Sequence, residues 1–228
     1  MAATVRSLLD NLRPEADEEE RRAWAVACAH ALGLGGIAVS LGRELLWFSD
    51  MTSARLEDLQ FILGEGPSLL FRGRSDVRQL PDLDRLPARQ WPQFAAEVTE
   101  LQIAALFVWP VHIGAVQAGT MTGYRRTPGP LAPRQSAEGR LVADALADQL
   151  LGNWPAPAAA NTHHGRDRGC SGTVGLHRAE VHQATGVLSA RLGVPLTEAL
   201  DRLRGQAYAS GRSLTDTAQA VIERELPQ

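Results

Sequence analysis

Lysine is missing from this chain of 228 residues, in which all 23 basic residues are arginines. The P-loop lysine, the Schiff-base lysine and the kinase lysine are therefore excluded, together with the classes of site that depend on them. Cysteine is almost as scarce, because the sequence contains Cys28 and Cys170 alone. Two cysteines form neither a disulfide framework nor a CxxC pair for a metal. These residues predict no metal and no other cofactor.

An excess of positive charge is absent as well. The chain carries a net charge of −3, and residues 177–228 hold six arginines and six acidic residues. Nucleic-acid-binding modules are usually basic, so the charge balance alone does not favour such a role. The uncharged stretches 23–42 and 101–124 are interrupted by glycine, and neither predicts a membrane-spanning helix. No secretory signal pattern opens the sequence, so we expect a cytoplasmic protein without a membrane partner.

Changes in composition along the chain predict two domains. Residues 1–19 are interpreted as an N-terminal extension and residues 20–152 as the larger domain. Residues 153–176 are rich in proline, alanine and glycine and contain few large apolar side chains, which is typical of a flexible linker. Residues 177–228 form a small helical module. With a hydrophobic content of 44%, the chain has enough apolar surface for a packed core.

The larger domain alternates between helical and strand patterns. An alanine-rich helix ends at Gly33, and further helices are predicted over 55–63, 90–101 and 132–151. Strands are predicted over 37–41, 45–48, 77–80, 103–109 and 115–124, with tight turns at Gly42 and around Gly114. Helices that alternate with strand hairpins predict an α+β fold, an antiparallel sheet flanked by helices.

The first helix of the small module has an unusual outer face. At 100° per residue, an apolar stripe is formed by Val181, Ala184, Leu188 and Leu192. The opposite side consists of Ala179, Gln183, Gly186 and Ala190. A glycine inside a helix costs about 1 kcal/mol relative to alanine, and a solvated face gains nothing from it. We infer that another molecule or element approaches the backbone closely at Gly186.

The second and third helices continue this pattern. Over residues 196–210 the predicted inward side chains are Leu196, Leu200, Leu203 and Ala207. Gly205 faces outward, and Arg204 and Tyr208 are neighbours at positions i and i+4 on its flank. Gly211 predicts the end of the helix. The third helix follows Ser213, which is typical of a helix cap, and its inward residues are Leu214, Ala218, Val221 and Ile222.

The segments 181–188, 198–204 and 213–218 together resemble the ANTAR domain, the three-helix module of bacterial transcription antiterminators. The resemblance implies binding to paired stem-loops in nascent RNA, so that a competing terminator hairpin does not form. The family's most characteristic tetrad is matched by Gln183, Ala184, Thr185 and Gly186, for which the alternative to RNA contact is helix–helix or domain–domain packing. Arg204 and Tyr208 are candidates for a phosphate or guanine contact beside a stacking surface, with a solvated helix flank as the alternative. Arg191 and Arg212 are further candidates at helix ends, where cations also favour the helix dipole.

The larger domain resembles the GAF domains that precede ANTAR modules, through residues 63–68 and 80–83. This resemblance implies a sensor of an unidentified small molecule, a dimerisation domain, or both; the long helix 132–151 also favours a homodimer. Trp47, Trp91 and Trp109 are candidates for a sensor pocket, with core packing as the alternative interpretation. No Ser-His-Asp set or paired carboxylates stand out, and we do not expect an enzyme.

Two other functions compete with RNA binding. In a DNA-binding helix-turn-helix regulator, the third helix would enter the major groove and present Asp216, Gln219 and Glu223. Two acidic residues beside phosphates argue against this interpretation. Alternatively, the module is a protein-docking or dimerisation bundle without a nucleic-acid role, which its net charge of zero leaves open.

Overall fold

The computed structural model describes residues 4–11, 18–42, 44–69, 77–87, 89–152 and 178–225. The helices in these ranges are α1 (Val5–Asp10), α2 (Glu18–Ala31), α3 (Met51–Leu63), α4 (Pro92–Glu100), α5 (Pro133–Gly152), α6 (Ala179–Leu192), α7 (Leu196–Ser210) and α8 (Leu214–Glu225). The strands are β1 (Gly36–Leu41), β2 (Glu44–Phe48), β3 (Arg78–Leu80), β4 (Ala105–Ile113) and β5 (Val116–Arg125). The predicted linker, residues 153–176, lies outside the described residues.

The five strands form one antiparallel sheet in the order β2-β1-β5-β4-β3. The turns at both predicted hairpins use glycines with positive φ, +58° at Gly42 and +60° at Gly114, where a side chain would be strained. Both predicted hairpins are therefore confirmed.

Helices cover both faces of the sheet. Side chains alternate along β4: Phe107 and Trp109 pack in the cluster that contains α2 and α5, whereas Leu106 packs with α3 and α4. In β1, Val39 belongs to the first cluster and Ala38 contacts α3. The predicted α+β fold, an antiparallel sheet flanked by helices, is confirmed.

A glycine inside α5 makes room for the largest buried side chain of the sheet. A Cβ atom added at Gly139 would lie 2.5 Å from the indole ring of Trp109. The ring therefore packs directly against the helix backbone, and its Nε1–H donates to the carbonyl of Ser136 at 3.0 Å. Here the loss of helix propensity is offset by close helix–sheet packing.

Two elements of this domain differ from the sequence-based expectation. Within the predicted N-terminal extension, the described residues 4–11 contain α1, which packs on α2 and α5 and places Val5 in the main core. Its Leu8 carbonyl accepts a hydrogen bond from Trp24 Nε1 at 2.7 Å. Helix α3 begins at Met51 rather than at Arg55. Asp50 and Ser53 form a capping box in which the side chain of each accepts a hydrogen bond from the backbone N–H of the other.

Helices α6, α7 and α8 pack around a small core, as the sequence predicts. Its buried members from these helices are Val181, Ala184, Leu188, Ala199, Leu200, Leu203, Ala207, Leu214, Ala218 and Val221. Gly193 and Gly211 end α6 and α7 in the left-handed conformation, which confirms the predicted stop at Gly211. Leu192 and Leu196 were expected inside but are 43% and 60% exposed. They flank the α6–α7 turn, and the described part of the chain places them at its surface rather than in the core.

Candidate nucleic-acid interface

The predicted contact residues of α6 divide between its two faces. Gln183 is exposed, and Gly186 is partly exposed with no atom within 4 Å of the position that a Cβ would occupy. Ala184 and Thr185 are buried instead, and the Thr185 hydroxyl donates to the Val181 carbonyl at 2.6 Å. Both follow the apolar stripe of the helix, since positions 181, 184, 185 and 188 share a side. The structure therefore assigns Ala184 and Thr185 to the core of the module, not to its surface.

The outer face of α7 is open around its glycine. Gly205 is exposed, and no heavy atom lies within 4 Å of a Cβ built there. Tyr208, one turn further along, is 78% exposed. This face offers unobstructed helix backbone beside an aromatic ring, an arrangement that allows close approach and stacking.

Arg204 does not share that open face. Its side chain is 13% exposed, and its Nη1 pairs with Asp201 at 2.8 Å. Its Nε donates to the carbonyl of Phe61 at 3.0 Å, in the last turn of α3. Helix C-terminal carbonyls lack partners within their own helix, so a guanidinium group is a natural donor for them. The predicted pair of Arg204 and Tyr208 is thus divided, with Arg204 turned toward α3 and Tyr208 toward solvent.

The two remaining predicted arginines lie near helix ends. Arg191 is exposed in the last turn of α6. Arg212 is exposed before α8, and its Nη2 donates to the Asp216 carbonyl at 3.4 Å. Arg202 is also exposed and pairs with Glu198 at 2.6 Å, a surface ion pair of small energetic weight. The exposed positive charge of the module is therefore modest.

A contact between α3 and the three-helix module was not foreseen from the sequence. Phe61, from α3, is 3% exposed and belongs to the same hydrophobic cluster as the cores of α6, α7 and α8. The Arg178 guanidinium carbon lies 4.0 Å from the centre of its ring. Arg178 Nη2 also donates to Asp58 at 3.0 Å and to the Glu57 carbonyl at 3.1 Å. The His182 ring also lies against the Glu44 side chain, which adds a contact to β2.

No sequence pattern marks this contact. Phe61 occupies an apolar position of an ordinary helix, and Arg178 lies just before α6. The two residues are more than a hundred positions apart in sequence, so local periodicity does not predict their contact.

The three tryptophans proposed for a sensor pocket do not share one. Trp47 and Trp109 belong to the core on the α2 and α5 side, and Trp47 packs edge-on against Trp24 at 6.0 Å between ring centres. Trp91 lies in the cluster on the other side of the sheet, against Phe94. All three are buried. Trp47 and Trp109 lie on β2 and β4 and pack on the same side of the sheet, whereas Trp91 is the N-cap residue of α4. The structure supports the alternative interpretation, core packing.

The buried carboxyl group of Glu57 was not predicted from the sequence. Glu57 of α3 faces the sheet and accepts hydrogen bonds from Ser40 Oγ at 2.7 Å and Gln60 Nε2 at 2.9 Å. Burial raises the pKa of this carboxyl above its usual 4.5, opposed by the hydrogen bond from Ser40 and the charge of Arg178. Periodicity could have placed Glu57 on the inner side of α3, but not its partners.

The described residues contain no group of three or more histidine, cysteine or acidic side chains that could hold a metal ion. Among the described helices, none combines the length and apolar character that crossing a bilayer requires.

Comparison with known proteins finds a family match in the carboxy-terminal part. Residues 176–222 match the ANTAR domain. No curated protein matches the chain.

Several solved structures are similar to the chain at low sequence identity. A domain of a protein described as a two-component sensor histidine kinase from Sinorhizobium meliloti 1021 is 17% identical, with a TM-score of 0.49 over 60% of this chain and 92% of that one. The phycoerythrobilin-bound GAF domain of a cyanobacterial phytochrome is 10% identical, with a TM-score of 0.46 over 67% and 97%. A GAF domain from A. aeolicus in an inactive state is 12% identical, with a TM-score of 0.43 over 64% and 91%.

The family match covers α6, α7 and most of α8. The three helices share a small core, which Phe61 of α3 also joins, and they follow an antiparallel sheet with helices on both faces. The chain therefore carries an ANTAR domain at residues 176–222, after an α+β domain with the architecture that the resemblance to GAF domains implied.

Proposed function

We propose that the ANTAR domain binds stem-loops in nascent RNA and thereby regulates transcription antitermination. The match to the ANTAR family implies this class of regulator. The observation that carries the proposal is the open backbone at Gly205 beside the 78% exposed ring of Tyr208. An exposed helix gains no stability from an interior glycine, so the residue is best explained by the approach of a ligand.

The chemistry of this surface suits unpaired bases better than phosphates. Tyr208 can stack on a base released from a loop, a contact worth about 1–3 kcal/mol. Gln183 on α6 supplies amide donors and an acceptor for a base edge. Because the module has no net charge, we expect recognition through loop bases and shape.

The alternative of a DNA-binding helix is disfavoured by the surface of α8. Asp216, Gln219 and Glu223 are all exposed on that helix, as expected from the sequence. Two carboxylates on the face that would enter a groove would repel the phosphates that line it.

The α+β domain completes the proposal as a GAF-type sensor or dimerisation domain of a cytoplasmic regulator without catalytic activity. Two copies would present two ANTAR domains to paired stem-loops. A signal received by the first domain would then determine whether the tail binds RNA.

The test is a binding titration of the full chain with a synthetic RNA of two tandem stem-loops, and with a duplex DNA of matched length. We expect selective RNA binding, weakened about five- to 150-fold by Tyr208→Ala, since a lost stacked base costs about 1–3 kcal/mol. The matched control is Val116→Ala, which truncates a 67% exposed side chain of the β4–β5 hairpin.

A salt series adds an independent check. The exposed arginines of the described module are Arg191, Arg202, Arg212 and Arg224. With so few phosphate contacts available, the logarithm of the affinity should fall against the logarithm of salt concentration with a slope no steeper than about −4 per ANTAR domain. Preferential binding of duplex DNA, or a stable complex with a partner protein and no RNA affinity in any variant, would contradict the proposal.

A further inference from the structure

We propose that the end of α3 holds the ANTAR domain in a closed arrangement that withholds Arg204 from RNA, so that full RNA binding requires separation of the two domains. This inference rests on the proposed RNA-binding function and concerns its regulation. We call the contact formed by Asp58, Phe61, Arg178 and Arg204 the clasp.

The aromatic ring of the clasp belongs to one domain and is buried in the other. Phe61 is part of α3, yet only 3% of it is exposed, and its cluster partners are the core residues of the ANTAR domain. Two guanidinium groups of that domain contact the ring, at 4.0 Å for Arg178 and 5.5 Å for Arg204. Cation–π contacts of this kind strengthen when the cation is desolvated.

The polar part of the clasp is complementary in charge. Arg178 is 5% exposed, and Asp58 and the Glu57 carbonyl both accept hydrogen bonds from it. Arg204 donates to the Phe61 carbonyl. Arg204 thus lies at the last turn of α3, where the helix dipole is negative, whereas Arg178 bonds the helix about one turn earlier. A buried guanidinium group without these partners would be costly, so they make the contact specific.

The clasp removes one proposed RNA contact from the surface. Arg204 is the predicted contact residue that the ANTAR resemblance places beside Tyr208, but its guanidinium group already bonds Phe61 and Asp201. It cannot bond a phosphate or a guanine edge with the same donors until α3 moves away. Tyr208 and Gly205 stay accessible, so the closed form would bind RNA weakly rather than not at all.

The same helix connects the clasp to the interior of the α+β domain. The carboxyl group of Glu57 accepts from Ser40 on β1, while its backbone carbonyl accepts from Arg178. A displacement of α3 relative to the sheet therefore changes both contacts together. This gives a signal in the first domain a physical route to the second, because the bonded groups belong to one residue.

The test first compares full-length single variants outside the ANTAR domain, which leave every ANTAR residue intact. Asp58→Ala removes the acceptor of Arg178 from a side chain that is 39% exposed, so the fold of α3 should persist. Phe61→Ala removes the ring. Glu97→Ala is the matched control, since it removes an exposed acidic side chain from α4, away from the clasp. Affinity for the tandem stem-loop RNA is measured together with amide hydrogen exchange of α6 and α7.

We expect Asp58→Ala and Phe61→Ala to raise exchange in α6 and α7 and to tighten RNA binding, whereas Glu97→Ala changes neither. If one molecule in ten is open in the native chain, complete opening raises the apparent affinity about tenfold. Adding Arg204→Ala to Asp58→Ala should abolish that gain.

The other results overturn the inference in distinguishable ways. Faster exchange with unchanged RNA affinity would mean that the domains separate without regulating binding, and the proposed function would stand. Unchanged exchange in both variants would show that the clasp does not hold the domains together. A gain that survives Arg204→Ala would refute the masking of Arg204. If no variant binds RNA, open or closed, the proposed function fails as well.

Discussion

Gly205→Ala and Gly139→Ala make the same chemical change in two helices and should have opposite effects on stability. Alanine is favoured over glycine inside a helix by about 0.5–1 kcal/mol. At Gly205 a Cβ meets no atom within 4 Å, so we expect the full gain in the free energy of unfolding of the ANTAR domain. Gly186→Ala should behave in the same way, since its surroundings are equally open.

At Gly139 the new methyl group would lie 2.5 Å from the Trp109 ring. Overpacking of this kind typically costs about 1–3 kcal/mol, which exceeds the gain in helix propensity. We therefore expect Gly139→Ala to destabilise the α+β domain by up to about 2.5 kcal/mol, the largest difference between these two terms.

Urea unfolding separates the two effects because the fluorophores are unevenly placed. Four of the five tryptophans, at positions 24, 47, 91 and 109, are buried in the α+β domain, and the ANTAR domain contains none, so changes in fluorescence report on the α+β domain. Far-ultraviolet circular dichroism also includes the helices of the ANTAR domain. Destabilisation by Gly205→Ala would refute the open surroundings of that glycine in the structure.

RNA binding by the same Gly205→Ala variant tests whether the glycine at this position serves RNA recognition. If RNA approaches the backbone closely, Gly205→Ala should weaken affinity for the tandem stem-loop RNA about tenfold, equivalent to about 1.4 kcal/mol, while it stabilises the protein. A variant that is more stable and binds RNA equally well would refute the reasoning that the glycine serves close approach.

Three further predictions concern the α+β domain. The pKa of Glu57 is raised in the folded state. Its contribution to the free energy of unfolding is therefore complete below pH 4.5 and is lost as the pH rises through the raised pKa. Urea unfolding over that pH range should show this loss in the native chain and not in Glu57→Gln. Burial raises the pKa of Cys28 to about 12, so iodoacetamide at neutral pH should modify it only after unfolding, which peptide mass mapping can check. Asp50→Ala removes the α3 cap and the acceptor of the Tyr124 hydroxyl, and should lower the free energy of unfolding by about 1–2 kcal/mol in the same urea assay; an unchanged midpoint would contradict the capping role.

Much of the secondary structure follows from local patterns. The apolar stripes of α6, α7 and α8 predicted the ANTAR core, and the outward positions of Gly186 and Gly205 are confirmed. The apolar runs of β4 and β5, with a turn between them, predicted a hairpin, and the nearly continuous burial of β4 fits a strand that is covered on both faces. The element type and the inner face of a helix are properties of neighbouring residues, so one sequence is enough to infer them.

Only the tertiary structure decided which element packs against each face of a helix. Arg204 and Tyr208 occupy the same flank in the sequence pattern, yet one bonds α3 and the other is open to solvent. Phe61 completes the core of a domain that begins more than a hundred residues later. Periodicity fixes the direction in which a side chain leaves its helix, but the partner that it meets depends on how distant elements pack. The sequence by itself therefore determined the ANTAR domain and its exposed glycines, and only the packing of α3 against that domain decided which of the predicted contact residues are accessible.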